Sequence, residues 1–143
     1  MDEVDIRELG RGDDPADLLV LLRRLRPVMS EELFDELVTD GYEQGLRYLV
    51  AYSGAGRPLA AAGYRRLVTS RGRVLFVDDL VTDEAARSRG VGARLLAELQ
   101  TLARGTGCDR LELDSGVANA AAHRFYFRHR LDVAAFHFAG PVG

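Results

Sequence analysis

The stretch Asp78-Asp79-Leu80-Val81-Thr82-Asp83-Glu84-Ala85-Ala86-Arg87-Ser88-Arg89-Gly90-Val91-Gly92-Ala93-Arg94-Leu95-Leu96 decides the fold. It opens as the end of a strand, because Val74-Leu75-Phe76-Val77 runs β-branched and aromatic into Leu80-Val81. A short acidic loop follows, then a turn of arginines and glycines, then a helix. The helix is read from Val91, Leu95, Leu99 and Leu102, which share one stripe with Leu96 beside it, and Gly105 and Gly107 stop it. A helix that starts after a strand offers unpaired N–H groups and the positive end of its dipole to an anion. Gly90 and Gly92 let the backbone approach a phosphate closely, since no Cβ intervenes. Arg87, Arg89 and Arg94 add positive charge around that concavity. Alone, the pattern supports an anion site at a helix start. Its spacing fits neither G-x-G-x-x-G nor the phosphate loop, whose GK[ST] is absent.

Upstream, residues 46–82 read as an antiparallel meander. A strand over 48–52 meets the turn cluster Ser53-Gly54-Ala55-Gly56-Arg57-Pro58, returns over 59–68 with Gly63 inside it, and turns again at Ser70-Arg71-Gly72. Before the meander, Val4, Ile6 and Leu9 alternate with charged residues as a half-buried strand. Asp14 is expected to cap a helix with Pro15 at its first position and Leu18, Leu21, Leu22 and Leu25 on one side. Ser30 caps a second helix with Phe34, Leu37 and Val38 as its apolar stripe, ended by Gly41. Downstream, Leu111 and Leu113 mark a short strand, residues 119–129 a helix, and residues 133–138 a closing strand. The order β-α-α-β-β-β-α-β-α-β predicts an α/β (α+β) fold. Its central sheet is mixed and mostly antiparallel, with helices on both faces, in a single domain spanning 1–143.

Composition narrows the function classes. Hydrophobic residues make up 47% of the 143, enough for a core without staples. Cys108 is the only cysteine, so neither an internal disulfide nor a zinc knuckle can form, and no metal is implied. The acidic start and the lack of a long apolar run point away from a secretory signal or a membrane span, hence to a cytoplasmic protein. All 19 basic residues are arginine. Residues 1–70 hold nine arginines against thirteen carboxylates, and residues 71–143 hold ten against nine. No basic stripe marks a nucleic-acid partner, whereas the balance suits an amine in the first half and an anionic cofactor in the second.

Arg87-x-x-Gly90-x-Gly92 after the strand end at Leu80-Val81 resembles the acetyl-CoA motif of the GNAT (GCN5-related N-acetyltransferase) superfamily. Asn119-Ala120-Ala121-Ala122-His123-Arg124-Phe125-Tyr126 is similar to that family's second signature, N-x-x-A-x-x-F-Y. The resemblance implies an acetyl-CoA-dependent N-acetyltransferase. It implies that the backbone of Leu80, Val81 and Thr82 receives the pantetheine arm as an added strand. The amides of Arg89, Gly90, Val91, Gly92, Ala93 and Arg94 would cradle the pyrophosphate, with Arg87 and Ser88 in the same loop. Asn119 would contact the pantetheine or cap its helix, and Ala122 and Phe125 would line the cofactor groove. Tyr126 would stand near the thioester sulfur as general acid. One departure stands out: where the family usually has a Gly-Phe pair after Phe-Tyr, this chain has Arg130-Leu131.

Amine acetylation needs a neutral amine, a stabilised carbonyl oxygen and a proton for the departing thiolate. Asp78 and Asp79 are the candidates for a base, acting through water, with Asp79 ahead; adjacent strand residues point to opposite faces, so at most one of them faces the cleft. The Val81 N–H is expected to meet the carbonyl oxygen. His123 shares a helix face with Tyr126 and is a weaker candidate for relaying a proton, while Cys108 reads as a small buried residue. By the family's pattern, residues 25–48 and 133–138 would form the acceptor site. Phe34, Tyr42, Tyr48, Phe136 and Phe138 would line a slot, and Glu31, Glu32, Asp35 and Glu36 would either attract an amine or form a solvated face. The acceptor is thus a small-molecule or peptide amine, and the final strand is free to pair in a homodimer. A catalytically silent acyl-CoA-binding module on the same fold is the alternative.

Overall fold

The computed structural model describes residues 3–87 and 89–143, so Met1, Asp2 and Ser88 lie outside the described residues. The chain divides into two compact units, Met1–Glu112 and Leu113–Gly143.

The first unit starts with β1 (Val4–Glu8) and α1 (Ala16–Leu25). Pro15, rather than Asp14, holds the cap position of α1. The Asp14 carboxylate still accepts from the Ala16 N–H at 3.0 Å, so the acid does its expected work one residue further out. Ser30 caps α2 (Glu31–Glu36) by accepting from the Leu33 N–H at 3.0 Å. The helix does not stop there but widens into a π-turn over Leu37–Gly41. Next come β2 (Arg47–Ser53), β3 (Pro58–Thr69) and β4 (Gly72–Thr82), the meander that the turn residues predict. A 3-10 turn (Glu84–Ala86) leads to α3 (Val91–Gly105) and β5 (Arg110–Leu113).

The sheet order is β1-β2-β3-β4-β5. The first three pairings are antiparallel, with Val50 opposite Ala61 and Ala61 opposite Val81. The Asp109 N–H donates to the Arg73 carbonyl at 2.7 Å, so β5 begins beside the start of β4. Neighbours that start at the same end run parallel, which requires the crossover that α3 provides. The sheet is therefore mixed, as expected.

Period-2 alternation in the strands divides the core. Tyr48, Val50, Ala61 and Val81 pack with Leu18, Leu21, Leu22 and Phe34 from α1 and α2. The α3 leucines Leu95, Leu96 and Leu99 are buried on β2, β3 and β4 outside that cluster, hence on the opposite face. Each fully buried leucine contributes roughly 1.5–3 kcal/mol. The run Ala60-Ala61-Ala62 keeps β3 thin where helices press from both sides. Among the described residues no helix is long and apolar enough to cross a membrane.

The second unit holds α4 (Ala120–Arg128). Asn119 caps it, its side-chain oxygen accepting from the Ala122 N–H at 3.2 Å. The closing strand expected over 133–138 does not form: residues 131–143 show no helix, strand, turn or bend. A strand needs a partner for its amides and carbonyls, and Leu131 is the last residue here whose amide makes a backbone hydrogen bond. Cys108 is half-buried rather than buried.

Two helix ends show one motif with different residues. After α3, the Cys108 N–H donates to the Ala103 carbonyl at 2.8 Å, and Gly107 sits at φ 76°. After α4, the Leu131 N–H donates to the Tyr126 carbonyl at 3.0 Å, and Arg130 takes φ 65°. Arg130 is the only non-glycine residue with positive φ among the described residues. It occupies the position where the related pattern has glycine, and the fold keeps the glycine conformation there. A left-handed non-glycine residue costs roughly 1–2 kcal/mol, of which unfolded-state entropy returns part on change to glycine. Arg130→Gly is expected to stabilise the protein by about 0.5–1 kcal/mol in urea denaturation. An unchanged or lowered midpoint would show that Arg130 makes a compensating contact.

Candidate active site

The edge of β4 is the first feature of the site. β4 has 11 residues and β5 has 4, and the two start together. β5 therefore runs out well short of Leu80, leaving the outer edge of β4, among the described residues, without a strand neighbour at Leu80, Val81 and Thr82. An extended ligand can take that place through main-chain hydrogen bonds.

The second feature is the start of α3. Gly90 is the cap, at φ 76°, and a Cβ there would meet nothing within 4 Å. The helical ladder begins with the Arg94 N–H donating to the Gly90 carbonyl at 3.0 Å. This leaves the amides of Val91, Gly92 and Ala93 without a ladder partner, and no acidic side chain sits in the first turn. The expected set of cradling amides thus shrinks. The Arg94 amide is used by the helix, and the Arg89 amide donates to the Ala86 carbonyl at 3.4 Å. The Arg94 side chain reaches the Val4 carbonyl at 3.4 Å. Arg87 is exposed. Ser88 lies outside the described residues. An open strand edge that leads to free helix amides fits a ligand with an extended arm and a pyrophosphate.

Asp83 anchors this loop, a role the sequence did not suggest. It is the one buried charged residue described, at 7% exposure. Its carboxylate accepts from Arg57 at 3.2 Å and faces Arg24 at 3.5 Å, and its N–H donates to the Leu59 carbonyl at 2.8 Å. Burying it with two guanidiniums offsets the cost of desolvation.

The third feature is the acid pair. Gly63 stands opposite Asp79 and Tyr64 opposite Val77, so Asp78 is the extra residue of a β-bulge. The Asp78 carboxylate is held bidentate by Arg65 at 2.8 and 2.7 Å, and that hydrogen bond raises the Arg65 guanidinium above its ordinary pKa. Asp79 turns to the face covered by α1. Its Oδ2 accepts from the Tyr48 hydroxyl at 2.8 Å and its Oδ1 from Arg26 at 3.3 Å. Burial, then the nearby Asp79 charge, pushes the Tyr48 phenol far up, so Tyr48 remains a donor. Tyr48 was expected to line an acceptor slot. Its partnership with Asp79 was missed, although Gly63 inside a strand signals close backbone approach.

Around Tyr48 lies a cavity of about 250 Å³, lined in part by Leu9, Val38, Tyr42, Leu46 and Arg47. The Tyr42 ring carries the Arg47 guanidinium at 3.6 Å and that of Arg11 at 4.5 Å from its centre. Phe34 cannot line a slot, since it is buried in the α1 core. Glu31, Glu32, Asp35 and Glu36 form an exposed face.

Asn119, Ala122, Phe125 and Tyr126 belong to the second unit. Phe125 meets Tyr126 edge-on at 5.5 Å and His129 at 4.5 Å. Burial raises the Tyr126 phenol above 10, so it holds its proton through neutral pH. The His123 ring meets the Gly116 carbonyl at 2.8 Å, back toward the loop before its helix.

The family model described as "Acetyltransferase (GNAT) family" matches residues 16–130. The chain belongs to the GNAT acetyltransferase family. A relative from Oryza sativa subsp. japonica, glucosamine 6-phosphate N-acetyltransferase 1, is 40% identical over 113 residues, covering 72% of this chain and 67% of the rice protein. The uncharacterized N-acetyltransferase YhdJ of Bacillus subtilis (strain 168) is 33% identical over 109 residues, covering 70% and 76%. The solved structure of aminoglycoside N-acetyltransferase AAC(6')-Iy in complex with CoA superposes with a TM-score of 0.82 at 18% identity, covering 99% of this chain and 96% of that one. This GNAT chain is an N-acetyltransferase with acetyl-CoA as donor.

Gly63 tests the geometry around Asp79. A Cβ there would lie 2.5 Å from the Tyr48 ring, which real contacts do not allow. Gly63→Ala is expected to cost about 1–3 kcal/mol in denaturant unfolding, as overpacking does. A midpoint equal to that of the unaltered protein would place the ring elsewhere.

Proposed function

We propose that this GNAT enzyme acetylates the primary amine of a small polar acceptor, with Tyr126 as general acid and Asp79 as the carboxylate that takes the amine proton through water. The observation that carries the reading is the open β4 edge leading to the unpaired amides of α3, in a chain of this family. The small-molecule acceptor is supported by relatives named for glucosamine 6-phosphate and for aminoglycosides. The cofactor, when bound, supplies an acetyl group activated as a thioester. Leu80, Val81 and Thr82 would hold its extended arm. Gly90, Val91, Gly92 and Ala93 would hold the pyrophosphate, with Arg87, Ser88, Arg89 and Arg94 around them. Asn119 spends its side-chain oxygen on capping α4, and Ala122 and Phe125 would form an apolar wall.

Each proton has a named holder. Asp79 accepts one hydrogen bond on each oxygen, and every carboxylate oxygen keeps a second lone pair. It can therefore take a proton from an ordered water without releasing Tyr48 or Arg26. Asp78, engaged by Arg65 through both oxygens, is the second candidate. Tyr126 would give its hydroxyl proton to the departing sulfur and take one back from solvent. The Val81 N–H would meet the carbonyl oxygen.

Incubation with acetyl-CoA and a panel of amino sugars, aminoglycosides and peptide amines, followed by thiol release, tests the reading. Turnover of at least one small amine is expected, and thermal stabilisation by acetyl-CoA without turnover on any amine would overturn it. Tyr126→Phe should lower kcat roughly 100-fold or more while leaving the cofactor Kd unchanged. Because burial raises the phenol, kcat of the unaltered enzyme should hold up to pH 10 and fall only above it. Unchanged kcat in the variant would remove Tyr126 from the acid role.

A further inference from the structure

One carboxylate stands between the two halves of the donor site. The open edge of β4 ends at Thr82, and the free amides of α3 begin at Val91. Asp83 is the first residue after that edge. Its backbone is still extended, at φ −59° and ψ 141°, and its N–H donates to the Leu59 carbonyl at 2.8 Å. Alternation along the strand gives Asp79, Val81 and Asp83 one face, and Val81 packs there with the α1 leucines.

Two guanidiniums from separate elements close on Asp83. Arg24 comes from the last turn of α1, at 3.5 Å, and Arg57 from the turn before β3, at 3.2 Å. Arg57 is itself fixed by the hairpin. Its N–H donates to the Ser53 hydroxyl at 3.1 Å, and its carbonyl accepts from the Ser53 N–H at 2.9 Å. Both arginine side chains are more than half exposed, whereas that of Asp83 is 10% exposed. Downstream, the Asp83 carbonyl accepts from the Ala86 N–H at 2.9 Å, and Ala86 and Val91 are buried. The side chains of Ala86 and Val91 are held by packing, which has no direction. Asp83 is held by a directed, charge-assisted hydrogen bond from Arg57 and by the ion pair with Arg24. A ligand with an extended arm and a pyrophosphate must reach the edge and the amides at once. Once one end is bound, the other binds at an effective concentration set by the span between them. A span fixed beforehand needs no ordering on binding.

We propose that Asp83, clamped by Arg24 and Arg57, is a positioning residue for acetyl-CoA: it fixes the span from the β4 edge to the α3 amides, so that one molecule engages both. The inference rests on the placement of the cofactor proposed above. It depends on neither the acceptor nor Tyr126.

Asp83→Asn keeps the size of the side chain and removes the charge that both arginines meet. Isothermal titration of the full chain reads acetyl-CoA binding. Ligand-detected NMR reads S-acetylpantetheine, which has the arm and lacks the pyrophosphate. The variant is expected to weaken acetyl-CoA about tenfold and to leave S-acetylpantetheine unchanged, because only the linked ligand feels the span. A merely structural role would weaken both together, and that result overturns the proposal. So does an unchanged Kd for acetyl-CoA. Should Asp83→Asn fail to fold, Arg57→Gln decides. It removes one clamp at an exposed side chain, and it should weaken acetyl-CoA in the same selective way by a smaller factor. Gly92→Asp separates this inference from the reading beneath it. It sets a carboxylate among the free amides, at a helix start that favours negative charge, so the fold is kept while a pyrophosphate is repelled. If Gly92→Asp leaves acetyl-CoA binding unchanged, the pyrophosphate does not lie there and both ideas fall. If Gly92→Asp weakens binding and Asp83→Asn does not, the cradle stands and only the clamp falls.

Discussion

The site depends on a side chain that is absent. Gly63 stands between Tyr48 on β2 and Asp79 on β4, and any Cβ there would strike the tyrosine ring. Because the position is glycine, the ring lies across β3 and its hydroxyl reaches the Asp79 carboxylate. Three strands are thereby tied at one level. The bulge at Asp78 has the same location, so the two neighbouring acids receive different partners: Arg65 takes one, Tyr48 and Arg26 the other. The Tyr48 hydroxyl thus joins Asp79 to a ring that lines the cavity of about 250 Å³.

Unequal strand lengths create the other half of the site. An antiparallel hairpin can be long on both sides, and β3 with β4 is. A strand reached through a crossover helix is limited by where that helix delivers it and where the chain leaves. β5 gets four residues, so β4 keeps an open edge toward Thr82. At its end stands Asp83, pinned by Arg57 and Arg24, which sets the start of the loop that leads to the free amides of α3. Edge, anchor and helix end follow one another within about fifteen residues of chain, which is why a single short motif marks the whole cofactor region.

Much of this was legible along the chain. The elements up to α4 were found because helix periodicity, caps and turn residues are local signals. Ser30 and Asn119 cap their helices as their side chains suggest, and Gly90 opens α3 where the motif places it. Even the departure at Arg130 was visible, and the structure shows that the backbone there kept the left-handed form. The signals that failed were those that need a neighbour. Residues 133–138 alternate like a strand, yet a strand forms only against an edge. Phe34 was read as lining a slot because its helix is amphipathic, but its stripe is what the α1 leucines cover. The amides of Arg89 and Arg94 looked available until the turn and the helix used them.

By itself, then, the sequence determined the order of the elements through α4, the mixed sheet, the family and the donor, since all of these rest on residue type and spacing within a few turns of chain. Only the tertiary structure decided which donors hold Asp78 and Asp79, that Asp83 is the buried anchor, and that β4 outruns β5. Those outcomes depend on cross-strand register, and one extra residue in a bulge changes which side chains meet.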